Sequence, residues 1–221
     1  MSRVSVIIVA AGEGKRFGSQ KQYSLLKGKP VLDWSIQRFE NHEAVNEIIL
    51  VLKGADQKER LYSGYKKIAR IVEGGEKRQD SVVNGFSKID PEKVGIVLVH
   101  DAVRPLVGKD IISEVIKVAS EKGAAIPVVP VEDTLKEVKQ EEILITLKRT
   151  GLFRAQTPQG FSYSILKEAL EKARKDDYYG TDEGSLVERI GKDVYAVEGS
   201  LKNIKITSLE DLEIAEALLE G

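Results

Sequence analysis

The sequence predicts an α/β fold, a doubly wound and mostly parallel sheet with helices on both faces and a protruding β-arm. Three observations point to it. Short, β-branched apolar runs alternate with segments of helical period through the first half of the chain, the pattern of successive strand–helix–strand units. The first run ends in a glycine-rich, cationic stretch, Ala10 to Gly18, at the place where a doubly wound sheet opens its ligand crevice. Beyond Pro130 the alternation breaks into two short charged runs around a polar turn, which reads as a hairpin leaving the sheet.

The elements follow in order. Arg3–Ala10 is apolar nearly throughout and reads as a buried strand. Pro30 to Asn41 places Val31, Leu32, Ile36 and Phe39 on one helical face, with Pro near its start. Glu47–Leu52 is a second strand, Asp56–Tyr65 a helix and Ile68–Glu73 a third strand. Lys77–Phe86 is a helix opening after Gly74 and Gly75. Val94–His100 is a fourth strand, Asp110–Ser120 a helix and Ala124–Val129 a fifth strand. Thr134–Lys139 and Ile143–Arg149 form the hairpin around Gln140, Glu141 and Glu142, and such a hairpin buries little alone. Helices resume at Tyr163–Arg174 and Asp182–Ile190, strands at Val194–Val197 and Ile204–Ile206, and Leu209–Leu219 closes the chain as an amphipathic helix.

Composition excludes several kinds of chemistry. The 221 residues suffice for one domain with a sizeable core, and no repeat or linker divides them, so 1–221 read as a single domain with 132–150 as its arm. Charged residues are 31% and the net charge is −1, so no general basic surface advertises nucleic acid and any anion site must be local. There is no cysteine, which removes disulfides, thiolate catalysis and cysteine-based metal sites, and the two histidines leave little for a histidine metal site or triad. One of them, His42, reads as a surface residue beyond a helix. The N-terminus lacks a basic segment before a signal-length apolar run, and no run approaches a membrane span, so the expectation is a cytoplasmic protein with no membrane partner.

The opening stretch, VIIVAAGEGKRFG, is neither of the two common phosphate loops. Gly12-x-Gly14-x-x-x-Gly18 has one residue too many for G-x-G-x-x-G, and the second strand ends in Lys53 where a ribose-binding acid is expected. Gly28-Lys29 is followed by Pro30 rather than Ser or Thr. A strand-to-helix turn alone would use the same glycines. The cations argue for more. Small residues let backbone N–H groups approach phosphates, and Lys15, Arg16 and Lys21 are placed to neutralise them. Ala10 and Ala11 leave room for a flat base, so the stretch suits a nucleoside triphosphate.

Four further clusters fall at comparable places. Gly74 to Ser81 follows the third strand; a turn with an N-cap is its plain alternative. His100-Asp101-Ala102-Val103-Arg104 follows the fourth strand, where a carboxylate suits Mg²⁺ or a sugar, and a solvated salt bridge is the alternative. Thr181-Asp182-Glu183 reads either as a site or as a helix N-cap. Lys205 stands in an apolar run, which is costly unless an anion meets it.

Together the segments AAGEGKRFG, KQYSLLKGKPVLDWSI, GGEKRQDSVVNGF, VLVHDAVRP, PVEDTLK, LKRTGLFRAQTPQGF, TDEGSLVE and VEGSLKNIKITSLEDLEIAE resemble the 2-C-methyl-D-erythritol 4-phosphate cytidylyltransferases, in the family's order and over nearly the whole chain. Two departures stand out: a short, proline-free spacer between Arg16 and Lys21, and Phe153 where many members carry Trp. The resemblance implies a nucleotide-diphospho-sugar-transferase-like, Rossmann-like fold. It implies transfer from CTP to methylerythritol phosphate with Mg²⁺, in non-mevalonate isoprenoid biosynthesis, by a homodimer joined through the 132–150 arm. It implies that Arg16 and Lys21 act at the α-phosphate while Arg149 and Lys205 hold the acceptor phosphate. Ala10, Ala11, Gly12, Gly14, Gly75, Glu76, Ser81 and Ala102 would line the nucleotide, also reached by Lys21 and Lys205. Asp101 and Arg104 would face the acceptor, with Asp101 near a metal held mainly by the CTP phosphates, and Thr134, Thr157 and Thr181 would offer hydroxyls to methylerythritol. The remaining readings are a cytidylyltransferase for another polyol or sugar phosphate, such as ribitol 5-phosphate, and a non-catalytic nucleotide-binding protein on the same fold.

Overall fold

The computed structural model describes residues 3–12 and 20–220. Strand β1 (Arg3–Val9) is followed by a single 3₁₀ turn at Lys21–Tyr23 and a two-residue ribbon, β2 (Leu25–Leu26) with β3 (Lys29–Pro30). Helix α1 (Val31–Glu40), β4 (Glu47–Leu52), α2 (Ala55–Lys58) with a 3₁₀ turn, β5 (Ile68–Glu73), α3 (Arg78–Phe86), β6 (Val94–Asp101), α4 (Lys109–Lys122) and β7 (Ala124–Pro130) follow. Next come the hairpin β8 (Leu135–Lys139) and β9 (Glu142–Leu147), the short β10 (Phe153–Ala155) and β11 (Gln159–Ser162). The chain ends with α5 (Tyr163–Lys175), α6 (Glu183–Arg189), β12 (Tyr195–Glu198) and α7 (Leu209–Glu220).

Eight strands form the main sheet in the order β10-β7-β11-β6-β1-β4-β5, with β12 paired to β7. The β6-β1-β4-β5 half is all parallel, as the alternating apolar runs predict. Its side chains alternate between two layers. Val6, Ile8 and Ala10 pack with Leu50, Leu98, Leu32, Ile36, Phe39 and Val115 against α1 and α4. Ile7 packs with Ile49, Val51, Val97, Val99, Val82 and Phe161 on the other face, against α3 and α5. Both layers are close-packed. A Cβ at Gly85 of α3 would lie 2.8 Å from Ile7 Cγ2 and 2.9 Å from Val51 Cγ2, so the absence of a side chain is what lets α3 lie on the sheet. A smaller cluster of Leu26, Val31, Val103, Ile206 and Ala215 docks α7 beside the β2–β3 ribbon.

The sheet is mostly parallel, as expected, with two antiparallel strands: β11 between β6 and β7, and β10 on β7. Several other expectations need correction. Asp56–Tyr65 is not one helix but the four-residue α2 and a 3₁₀ turn at Glu59–Tyr62. Ile204–Ile206 is not a strand; its backbone is tied to the loop after β6 through Ile206 N–H, which donates to Val103 O at 2.9 Å. His42 is buried rather than surface-exposed: its Nε2 lies 3.0 Å from Ser113 Oγ, its Nδ1 accepts from Ala44 N–H at 3.3 Å, and burial lowers its pKa. The arm begins and ends a residue or two inside the expected bounds and turns on Gln140 and Glu141, both at positive φ. Among the described residues its strands pair only with each other, and β9 is more apolar than charged, exposing Ile143, Leu144, Ile145 and Leu147.

Candidate active site

The carboxyl ends of β1, β5 and β6 meet in a cavity of about 730 Å³. Parallel strands place their carboxyl ends on one edge, and the loops leaving that edge form the crevice. Ala10, Ala11 and Gly12 leave β1 along its floor. Ala10 N–H donates to Val51 O at 2.8 Å. The Gln22 amide donates to Ala10 O at 2.9 Å and Gly12 O at 3.0 Å, so a buried side chain pins this backbone from behind. Gly74 packs against Ala11 so closely that a Cβ there would lie 2.1 Å from the Ala11 Cβ. From the β5–α3 turn, Gly75, Glu76 and Ser81 line the cavity, with Gly75 N–H donating to Ser81 Oγ at 3.0 Å. Ala102 lines it after β6, tied by its N–H to Val9 O at 3.1 Å, and Lys21 and Lys205 reach it from outside the sheet.

Charge in the cavity centres on Asp101, the last residue of β6. Its Oδ1 accepts from Arg78 Nε at 2.9 Å and its Oδ2 from Lys205 Nζ at 2.6 Å. Burial alone would raise this carboxyl, but the Arg78 and Lys205 charges outweigh it and hold it well below the usual carboxylate range. Arg78 also binds the buried Glu183, its Nη1 donating to both carboxylate oxygens at 2.8 and 2.9 Å. Burial pushes the Glu183 carboxyl up against the pull of Arg78. Arg78 itself is raised, the two carboxylates overcoming its own desolvation.

Behind Asp101 lies a buried relay. Asp101 N–H donates to Thr157 Oγ1 at 3.1 Å, Thr157 Oγ1 lies 3.1 Å from His100 Nδ1, and His100 Nε2 lies 3.2 Å from Arg104 O. A carbonyl only accepts, so Nε2 carries the proton and the threonine hydroxyl donates to Nδ1. Burial pushes the His100 pKa down to about 3, so the ring stays neutral.

The cavity therefore gathers Ala10, Ala11, Gly12, Lys21, Gly75, Glu76, Ser81, Asp101, Ala102 and Lys205. Arg16 and Gly14 lie outside the described residues, as does Lys15. Arg104 stands behind the wall, its guanidinium donating to Asn203 O at 2.8 Å and Ala155 O at 3.4 Å. Thr157 is buried in the relay. Thr181 is exposed ahead of α6, where Asp182 caps the helix. Thr134 and Arg149 are exposed at the base of the arm, and Arg149 lines a separate depression with Glu132 and Phe153. Sequence reasoning missed Gln22, Arg78 and Glu183 as parts of the site. The signals were that Arg78 lies in the Gly74–Ser81 segment and Glu183 in the Thr181–Glu183 one.

Among the described residues no three His, Cys, Asp or Glu side chains gather as a metal centre. Asp101 offers a single carboxylate whose two oxygens already meet cations, so a hard divalent ion bound here would be held mostly by phosphate oxygens and water.

The chain also resembles known proteins over nearly its whole length. The family model described as 2-C-methyl-D-erythritol 4-phosphate cytidylyltransferase (IspD) matches residues 4–221. A curated protein of that name from Alkaliphilus oremlandii (strain OhILAs) is 44% identical over 229 residues, covering 100% of this chain and 96% of the relative. One from Clostridioides difficile (strain 630) is 46% identical over 221 residues, covering 97% and 93%. The crystal structure of the Francisella tularensis protein superposes with a TM-score of 0.86 at 34% identity, covering 98% of this chain and 100% of that one. That of the Thermus thermophilus protein gives 0.83 at 33% identity, covering 99% and 100%.

Proposed function

The chain belongs to the family of 2-C-methyl-D-erythritol 4-phosphate cytidylyltransferases, and on that premise we propose that its cavity carries out the transfer by positioned cations without a protein base. The enzyme is a nucleotidyltransferase. It joins CTP and 2-C-methyl-D-erythritol 4-phosphate to give 4-diphosphocytidyl-2-C-methyl-D-erythritol and pyrophosphate. The observation that carries the mechanism is the charge set at the cavity, Arg78 and Lys205 on Asp101 with Lys21 on the same lining, and no histidine among the lining residues.

The nucleophile needs no strong base. A phosphomonoester has a second pKa of about 6, so the acceptor reaches the site largely as a dianion. Its oxygen forms a bond to the α-phosphorus of CTP while the bond from that phosphorus to the bridging β-phosphate oxygen breaks. The requirement is to hold two anions in line and stabilise charge on the α-phosphoryl oxygens. Lys21, and Arg16 by the family pattern, serve that charge, and Lys205 and Arg149 hold the acceptor phosphate. Ala10, Ala11, Gly12, Gly75, Glu76, Ser81 and Ala102 enclose the nucleotide, with Gly14 added by the family pattern. Ala10, Ala11 and Gly74 leave room for a flat base beside the backbone. Arg104, Thr134, Thr157 and Thr181 belong to the acceptor side; for Thr157 the structure supports a role through Asp101, whose N–H it holds. Mg²⁺, when bound with the triphosphate beside Asp101, supplies charge neutralisation for the departing pyrophosphate.

We read the chain as one nucleotidyltransferase domain acting in the cytoplasm, in isoprenoid precursor synthesis; no helix among its described residues is long and apolar enough to cross a membrane. We read 132–150 as an arm for a homodimer. An isolated hairpin with exposed apolar side chains and free edges is stabilised by a partner's surface, and Arg149 lies outside its own cavity. Pyrophosphate release from CTP with methylerythritol phosphate or ribitol 5-phosphate tests the acceptor. Release with methylerythritol phosphate in large preference is expected, and equal or preferred use of ribitol 5-phosphate would overturn that assignment.

A further inference from the structure

Arg78 joins three elements that the chain keeps far apart. It stands in the first turn of α3, Asp101 ends β6, and Glu183 begins α6. Its Nε reaches one oxygen of Asp101 at 2.9 Å, and its Nη1 reaches both oxygens of Glu183 at 2.8 and 2.9 Å. Glu183 is 1% exposed, and Arg78 is its hydrogen-bonding partner through both oxygens. The guanidinium therefore has one end fixed in the interior and the other on a group facing the cavity.

Stability alone does not account for this arrangement. Burying an ion pair costs as much solvation as its attraction returns, and an apolar contact between α3 and α6 would join them without the charges. What the charges add is direction. A guanidinium anchored on Glu183 presents its Nε to Asp101 Oδ1 from one fixed direction. With Oδ1 of Asp101 taken by Arg78, Oδ2 is the oxygen left to meet Lys205, at 2.6 Å.

We propose that Arg78 is a positioning residue for the cytidylyl transfer: braced on Glu183, it holds one carboxylate oxygen of Asp101 and so aims the other at Lys205 and the acceptor side of the cavity. The inference rests on the reading of Asp101 as an acceptor-side group. Glu183 acts one step further back, by keeping the guanidinium from turning.

Four full-length variants test it: Arg78→Gln, Arg78→Lys, Glu183→Gln and Asp101→Asn. Arg78→Lys keeps a positive charge beside Glu183 but cannot span both carboxylates, which guards against loss of folding. Arg78→Gln and Arg78→Lys are expected to lower kcat/KM for methylerythritol phosphate about 10- to 100-fold, with Glu183→Gln moving the same way. CTP affinity measured by calorimetry should stay within roughly threefold, because the guanidinium's hydrogen bonds go to Asp101 and Glu183 rather than to the neighbouring Gly75, Glu76 and Ser81. Combining Arg78→Gln with Asp101→Asn should be no worse than the more damaging single change, since both remove the same orientation. Wild-type kcat/KM in Arg78→Lys, fully additive losses in the double variant, or CTP affinity falling in parallel with kcat/KM would each overturn the proposal. Asp101→Asn at wild-type kcat/KM would overturn both this proposal and the acceptor-side reading beneath it. A costly Asp101→Asn beside a harmless Arg78→Lys would overturn the role of Arg78 alone.

Discussion

Lys205 Nζ lies 2.6 Å from Asp101 Oδ2, a contact between residues 104 apart in sequence. The ammonium assigned to the acceptor phosphate is therefore shared with the carboxylate that ends β6. On the proposed assignment, an incoming dianion would compete with Asp101 for this cation while Arg78 stays on the other carboxylate oxygen, which would couple acceptor binding to the electrostatics at the end of β6.

The close packing of α3 on the sheet gives a prediction opposite to helix propensity. Alanine is the better helix former by about 1 kcal/mol, yet at Gly85 its Cβ would press on two branched methyls at 2.8 and 2.9 Å. Gly85→Ala should destabilise the protein by about 1–3 kcal/mol, measured by urea unfolding. Stability equal to or above wild type would mean that α3 shifts freely.

The buried neutral His100 predicts a pH dependence of stability. Its pKa of about 3 in the fold lies below its ordinary value of 6.5, so between these values the unfolded chain binds a proton that the folded one does not. Stability should fall as pH drops below 6.5, by up to about 1.4 kcal/mol per pH unit from this group. His42, also lowered by burial, adds to the same slope, while Asp101 contributes only below its ordinary 3.8 and the raised Glu183 opposes the slope above 4.5. Melting temperatures of wild type and His100→Gln from pH 7.5 to 5.5 check this. The variant should be less stable at pH 7.5 and show a shallower decline; an unchanged decline would assign the slope elsewhere.

Much of this was legible in the sequence, and the gaps have physical causes. β1, β4 and β6 are buried on both faces, so their apolar runs announce them. β11 is Gln-Gly-Phe-Ser, four residues with no β-branched side chain. It is a strand because Gly160 lets α4 approach, with a Cβ there only 2.5 Å from Val115 Cγ1, and that is tertiary information. Ile204–Ile206 has strand composition but no ladder to join among the described residues. Nothing beside Arg78 in the sequence marks it as buried, and its partners lie 23 and 105 residues away. His42 has polar neighbours in sequence, and α4 supplies the Ser113 that contacts its ring in the interior. Ala10, Ala11 and Gly12, small residues after a bulky strand, are a local signal, and the structure places them along the cavity.

The arm predicts complementation between subunits. Arg149 lies in a depression apart from its own cavity, so in an arm-exchanged dimer it serves the partner's site. Arg149→Ala and Lys21→Ala proteins, each nearly inactive, should regain activity when mixed as heterodimers, because one site then carries both lesions and the other neither. Heterodimers shown to form without recovered activity would place Arg149 in its own subunit's site.

The account holds that the transfer runs on cations aimed at the α-phosphate, and Lys21 is the described residue that tests this most directly. It leads the 3₁₀ turn at Lys21–Tyr23 and lines the cavity. Steady-state kinetics of Lys21→Ala at saturating methylerythritol phosphate separate binding from chemistry. The account predicts a fall in kcat of about 10²–10³-fold with the KM for CTP changed far less. A near-normal kcat with only weakened CTP binding would contradict it.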